Sequence, residues 1–566
     1  AAARPATHAT ARASVPAPSF GGGARLEADA PRSPLPSFSG RPVHGDEFRA
    51  RFRPPVGHAP VWSDPLSGSP DDISGDEPDT GRSGAVPVRD GGADEGACAA
   101  EDICRITCDA CRRRARARLV DSRTGRVVRS QIVAGGLLLS LPPAPACSLE
   151  TVRLQHDATA VDTPRVRTPG DAIAAESDAG YALENAHLRV ELDTAGRLTR
   201  VFDREARREV LAPGEHGNVL QAFEDRPLNW DAWDIDAFYE ERAEIVTGLV
   251  RCDIVESGPL RAALRIERRY RSSRIVQHVR LALDTRRVDF ATEVDWHETH
   301  TLLKVAFPVS VLAPRATYEI QWGSIERPTH RNTSWDFAKF EVAAQQWADL
   351  SEGDYGVALL NDCKYGHDIR DNVMRLSLIK SATSPDPTSD QGRHRFTYAL
   401  MPHAGDWRQG VIAEARRLND PTVLARVHDR RTDGVHRLAR EAFDAERRAA
   451  SGVRAPTPGA LPRGPLRLVS SEARNAVVET IKQAEDGRGF VVRLYEAERR
   501  RGPVQLCFGV PVQRVFRTDL LEADGEELAV EGDAVTLELR PFEIVTLRVV
   551  GSSHRRRGAP VGTPDA

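Results

Sequence analysis

Long apolar runs are absent from this sequence. None approaches the ~18 residues needed to cross a bilayer, and the first residues hold no continuous apolar core of the signal-peptide kind. The expectation from both absences is a soluble, cytoplasmic protein with no membrane partner. An excess of one charge is absent too: 78 Lys and Arg face 82 Asp and Glu, for a net charge of −4 over 566 residues. No global field therefore draws nucleic acid or an acidic substrate. The basic residues are nearly all arginine, which with the abundant Ala, Gly and Pro reflects GC-rich codon usage rather than function. A secreted disulfide framework is also missing. Cys98, Cys104, Cys108, Cys111 and Cys147 crowd the first part, and Cys252, Cys363 and Cys507 are scattered over the rest. Zinc is tetrahedral and accepts Cys sulfurs, but such sites usually pair two C-x-x-C knuckles. Only Cys108 and Cys111 have that spacing, so no metal site is assigned. The arginine run at 112–118 has no interleaved aromatics on which bases could stack, and is read as a solvated charge run.

The texture of the chain changes abruptly along its length. Residues 1–180 are a low-complexity segment, rich in Ala, Arg, Pro, Gly, Asp and Ser, with little helical or strand period. Such a segment buries too little apolar area to offset its ordering entropy, and is expected to be disordered or poorly packed. Between 119 and 156 a few pieces read as strand-like, such as 132–141, a candidate edge for the strands downstream. From Tyr181 onward strict alternation sets in. Leu188, Val190 and Leu192 alternate with Arg189 and Glu191, a turn comes at 193–196, and the pattern returns at 198–202. Residues 260–266, 275–283, 288–296, 355–360 and 374–379 repeat it, with a polar loop at 361–372. The expected fold is mainly β: a large antiparallel β-sandwich over 181–420, followed by a smaller all-β domain over 466–550. Residues 421–465 are expected to form a helical or loop insertion and a Pro/Gly-rich linker, and residues 551–566 a disordered tail.

One stretch in the sandwich stands out, LNWDAWDIDAFY at 228–239. Aromatic faces beside carboxylates suit a pyranose, which offers an apolar C–H face and a rim of hydroxyls. Composition alone favours a plainer account, with Trp230 and Trp233 as core anchors and the aspartates as turn caps. The flanking sequence shifts that balance. From 183 to 550, LENAHLRVELDTAGRLTRVFD (183–203), GNVLQAFEDRPLNWDAWDIDAFYEE (217–241), ERPTHRNTSWDFAKFEV (326–342), YGVALLNDCKYGHDI (355–369) and LELRPFEIVTL (537–547) occur in order. Over this span the chain resembles the central and C-terminal β-domains of glycoside hydrolase family 38 α-mannosidases.

The resemblance implies hydrolysis of terminal α-D-mannosyl residues, with a mannose-containing oligosaccharide or glycan as partner. It also implies that catalysis sits on a preceding α/β barrel, where zinc held by His and Asp grips the sugar and two carboxyl groups carry a retaining mechanism. That barrel is not recognised in residues 1–180. His44-Gly45-Asp46 has the bare spacing of the zinc pair but not its following residues, and 180 residues are too few for a barrel. The reading is therefore a mannosidase C-terminal half, inactive alone, with no catalytic residue, metal or cofactor of its own. A separate catalytic barrel or a homo-oligomer would be its protein partner. Residues 1–180 would be an out-of-frame or misjoined translation, which the upstream reading frames would test. Trp230, Asp231, Trp233 and Asp234, with Asn361, Asp362, Lys364 and Tyr365, are the substrate-side or domain-interface candidates. The alternative is a free-standing carbohydrate-binding or structural β-sandwich.

Overall fold

The computed structural model describes residues 170–424 and 466–551 without a break, and short pieces between residues 85 and 156. The expectations for residues 1–84, the arginine run at 112–118, the insertion and linker at 425–465 and the tail after Gly551 lie outside the described residues. So do Cys98, Cys108 and Cys111.

Apolar and polar residues alternate with the period of a strand, and each strand turns one face inward. Val288–Trp296 shows it: Val288, Phe290, Val294 and Trp296 are buried, while Asp289, Ala291, Glu293 and Asp295 remain partly exposed. This strand lies within a nine-stranded antiparallel sheet whose order is 249–257, 261–270, 273–282, 288–296, 392–404, 355–361, 347–351, 315–320 and 323–328. A six-stranded antiparallel sheet faces it, in the order 243–245, 219–224, 301–308, 373–380, 366–370 and 342–343; it is called the site sheet below. Their inner faces share one core, where Phe290 lies 5.5 Å from Phe307 and 5.2 Å from Tyr398. Each such side chain contributes about 1.5–3 kcal/mol through burial. The large antiparallel sandwich expected from the alternation is what the chain builds.

Order begins before Tyr181. Ile173–Ser177 is the edge strand of a five-stranded sheet that runs to Glu209. Farther upstream, Ser130–Val133 and Gly136–Leu141 pair as a hairpin docked on the sandwich. The Gln131 side chain donates to the Arg261 carbonyl at 2.8 Å and accepts from the Leu260 and Arg261 N–H groups at 2.9 and 2.8 Å. Val133 and Leu138 share a buried cluster with Leu260 and Leu283. A second departure concerns residues 361–372, expected as a polar loop. Gly366–Arg370 is a strand of the site sheet with His367, Asp368 and Ile369 buried, because the charges around Asp368 neutralise it inside the fold.

The C-terminal domain packs a three-stranded sheet against a five-stranded one around Val492, Leu506, Leu537 and Leu547. Its strands Val512–Thr518 and Asp524–Leu528 lack clear alternation and are not legible in the sequence. The helix Val411–Asn419 wedges between the two domains. Val411 and Ala415 press on Trp347 and Trp407, and Ile412 packs against Val477, Tyr495 and Ala497. Arg416 forms an ion pair with Glu479 across the same junction. Among the described residues, no helix is long and apolar enough to cross a membrane.

Candidate glycan-facing site

The site stands on one end of the site sheet. Register places Glu224 opposite Thr301 and Leu302 opposite Lys380, so three strands present their ends together. The segment 225–242 leaves from this end and is held at its base by buried charge. Asp225 pairs with Lys380, and burial pushes the Asp225 carboxyl above the usual range even though Lys380 opposes the shift. Tyr239, 4% exposed, meets the Phe223 ring edge to face at 5.0 Å. Its hydroxyl donates to Asp368 at 2.8 Å and accepts from the Lys304 ammonium at 2.9 Å. Lys304 is fully buried, pairs with Glu341 and lies 3.7 Å from Asp368. Arg375 joins Asp368 at 3.2 Å to Glu240 at 2.8 Å, and Arg331 reaches Glu240 at 3.0 Å. Desolvation works against the Glu240 carboxylate, but Arg375 and Arg331 outweigh it and hold its pKa below the usual range. Charges survive burial only when paired in this way.

Above this base, backbone geometry turns the tryptophans outward. Trp230 has φ +61°, a left-handed conformation uncommon for a bulky residue. Its carbonyl accepts from the N–H groups of Trp233 at 2.7 Å and Asp234 at 2.9 Å. Both indoles stand in the open, Trp230 at 71% and Trp233 at 72% exposure, with ring centroids 6.4 Å apart and an edge-to-face angle of 70°. They are not core anchors. Of the aspartates, Asp234 bonds its own turn, whereas Asp231 fastens the segment to a distant one. Asp231 accepts from the Thr383 N–H at 2.7 Å, the Thr383 hydroxyl at 3.1 Å and the Ser384 N–H at 3.2 Å. Desolvation raises its pKa, but those bonds and nearby His300 and Lys380 more than offset it, leaving the carboxyl below the usual range. The Asp234 carboxylate accepts from the Ile235 N–H at 2.9 Å.

The aromatic face extends beyond the residues singled out in the sequence. Exposed Phe238 lies 6.1 Å from Phe337. Phe337 ends a short helix, Ser334–Phe337, whose N-cap Thr333 accepts from the Asp336 N–H. Trp335 on that helix is 76% exposed. A signal for it existed: Trp335-Asp336 repeats the Trp-Asp pairing of 230–231 and 233–234.

The second candidate group divides. Asn361 is buried; its amide donates to the Gln345 carbonyl at 3.0 Å, and its side-chain oxygen accepts from the Lys364 N–H at 2.7 Å. Asp362 accepts from the Thr397 N–H at 2.9 Å, and the Lys364 ammonium sits 4.6 Å from the Phe396 ring centre. These three brace the turn. Tyr365, 54% exposed, is the one that offers an open aromatic face, and its turn leads into the site-sheet strand Gly366–Arg370, which pairs with Val373–Lys380.

The described residues do not fit the zinc centre that the resemblance implies. Among them no group of three or more His, Cys, Asp or Glu side chains converges as a metal site, and no step is routed through a metal.

Comparison with known proteins decides the family. Residues 183–388 match the glycosyl hydrolases family 38 C-terminal domain, and residues 475–547 match the family 38 C-terminal beta sandwich domain. These β-domains belong to glycoside hydrolase family 38. Human alpha-mannosidase 2C1 is 39% identical over 386 residues, 67% of this chain and 34% of that protein. An alpha-mannosidase of Saccharomyces cerevisiae is 30% identical over 404 residues, 65% of this chain and 34% of that protein. The chain thus spans about a third of the length of the curated relatives it matches. The crystal structure of an alpha-mannosidase from Enterococcus faecalis shares the fold, with a TM-score of 0.59 at 14% identity over 82% of this chain and 56% of that one. The family 38 β-domains therefore carry the aromatic loop 228–239 inside the matched region, as the resemblance implies.

Proposed function

We propose that residues 170–551 are the accessory half of an α-mannosidase acting on terminal α-D-mannosyl residues of a glycan, and that this chain does not turn over substrate alone. The observation that carries the reading is the aromatic face. In a family 38 sandwich, Trp230, Trp233 and Trp335 are exposed while a buried ion network fixes the loops beneath them. Exposed aromatics held in this way, with Trp230 beside Trp233 and Phe238 beside Phe337, mark binding surfaces. The face serves either a mannosyl substrate or a separate catalytic domain. Asp231, Asp234, Asn361, Asp362 and Lys364 act as positioning residues beneath or beside it, and Trp230, Trp233 and Tyr365 touch the partner.

Support for the absence of turnover comes from residue content: the family's zinc and nucleophile motifs are not recognised in residues 1–180, which precede the β-domains. A cytoplasmic location accords with Cys252, Cys363 and Cys507, none of which is in a disulfide. The second reading, a free-standing sugar-binding sandwich, is favoured by the perpendicular Trp230–Trp233 pair, a ready platform for a pyranose face.

A chromogenic α-mannoside assay with added zinc or cobalt tests the proposal. The expected result is no turnover by the chain alone and turnover when a family 38 catalytic domain is supplied in trans. Chelator-sensitive turnover by the chain alone overturns the inactivity, and failure of complementation together with direct mannoside binding favours the second reading.

A further inference from the structure

A cleft lies away from the aromatic face, at the junction of the sandwich and the C-terminal domain. It encloses about 740 Å³ and is walled by the strands 315–320 and 323–328, the turns at 351–353 and 405–409, and the loop at 498–500. A volume of this size falls within the ~300–1,000 Å³ range of small-ligand sites.

Its walls are polar and carry both signs. Arg315 and Arg499 share Glu326, at 3.1 and 2.6 Å. Arg500 reaches Glu498 at 3.3 Å, and Arg408 pairs with Asp406 at 2.5 Å while lying 4.4 Å from the Trp407 ring centre. The floor holds a buried pair, Asp349 and His403, 2.7 Å apart. A polyanion or polycation entering this space meets as much repulsion as attraction. Each guanidinium has five N–H donors and each carboxylate about four acceptor positions, so the pairs leave donors and acceptors unused side by side. Groups that both donate and accept at short spacing are hydroxyls. The matching ligand is a neutral polyol, and the space accommodates about two or three pyranose rings.

We propose that this interdomain cleft is a binding site for a neutral oligosaccharide, holding a stretch of glycan between the two β-domains. The choice of mannose units as ligand rests on the proposed α-mannosidase function; the site itself rests on the cleft. Glycine supplies a clean way to close it. Gly353 lines the cleft, and a Cβ built on it meets nothing within 4 Å, so a large side chain there is accommodated without clash or positive-φ strain.

The test uses the full chain and a linear α-mannotriose as probe, titrated by calorimetry, with inorganic phosphate as a second probe. Mannotriose is expected to bind and phosphate not to. Gly353→Trp is expected to weaken mannotriose binding by roughly tenfold or more, at unchanged melting temperature. Should that variant fail to fold, Arg499→Ala combined with Arg500→Ala is expected to show the same loss, since both side chains are largely solvent-facing (42% and 65% exposed). A Trp230→Ala, Trp233→Ala double variant, which removes the indoles proposed to touch a mannosyl partner, separates the two sites: any mannotriose binding that remains in it is expected to disappear when Gly353→Trp is added. No mannotriose binding by the wild-type chain, unchanged binding by the closed-cleft variants, or phosphate binding lost on closing the cleft each overturns the proposal. Binding lost only in the tryptophan variant overturns the cleft while leaving the α-mannosidase reading intact. That reading is judged separately by complementation in trans.

Discussion

The loop end of the site sheet and the interior of the same sandwich use one residue type in opposite ways. Trp230, Trp233 and Trp335 are 71%, 72% and 76% exposed; Trp296, Trp347 and Trp407 are 0%, 1% and 3% exposed. The buried set lies on strands or against the interdomain helix, with Trp347 stacked on Trp407 at 5.3 Å and Trp296 on Tyr270 at 5.9 Å. The exposed set sits in turns or on a single helical turn, and Trp230, Trp233 and Trp335 each precede an aspartate. Asp231 and Asp234 bond backbone N–H groups, and the Asp336 N–H is capped by Thr333. Hydrophobicity thus places a tryptophan only when the backbone around it is free to follow. Where neighbouring polar groups hold the backbone in a turn, the indole remains in water and becomes a surface for something else.

The contrast can be broken from either side. Trp296→Ala or Trp407→Ala is expected to remove about 3–5 kcal/mol of stability, read as a shift of the denaturation midpoint; a loss near zero would mean that the interior set is not structural. Lys304→Ala leaves half-buried Glu341 without its cation and buried Asp368 with Arg375 alone, and is expected to lower stability by about 3 kcal/mol. The same variant loosens the segment 225–242, visible as faster amide exchange there than in the nine-stranded sheet.

Acid sharpens the comparison within the site sheet. Burial pulls the His367 pKa down from 6.5 to about 4. Its unfolded form binds the proton more readily, so its contribution is fully present above pH 6.5 and is lost as pH falls toward 4, by up to about 3 kcal/mol. A His367→Gln variant is expected to flatten that part of the stability–pH curve; an unchanged slope would assign the effect elsewhere, with His278, also held at about 4 by burial, as the next position to replace. The smallest effect belongs to the exposed set. Trp230→Ala with Trp233→Ala is expected to change stability by less than about 0.5 kcal/mol while reducing complementation by a catalytic domain or binding of a mannoside.

How much of this is readable from the residues depends on the range of the interaction. The strand 288–296 is legible because its alternation is local, and the family match because its stretches are collinear. Residues 228–239 are legible as a candidate site, but not the direction in which its tryptophans point. Gly366–Arg370 reads as loop because His367 and Asp368 look polar in sequence, while the cations that make Asp368 tolerable inside come from Lys304 and Arg375. The Trp-Asp pairing at 335–336 is legible, but its place near the site is not, because the contact linking its helix to the site, Phe337 with Phe238, joins residues far apart in the chain.

The sequence by itself determined the antiparallel sandwich, its smaller C-terminal companion and the family 38 kinship, since periodicity and ordered motifs are properties of neighbours along the chain. Only the tertiary structure decided which tryptophans are walls and which are surface, where the buried ions sit, and that a polar cleft opens between the two β-domains. Those outcomes depend on what each side chain meets across the fold, and burial energy is set by those partners rather than by residue type.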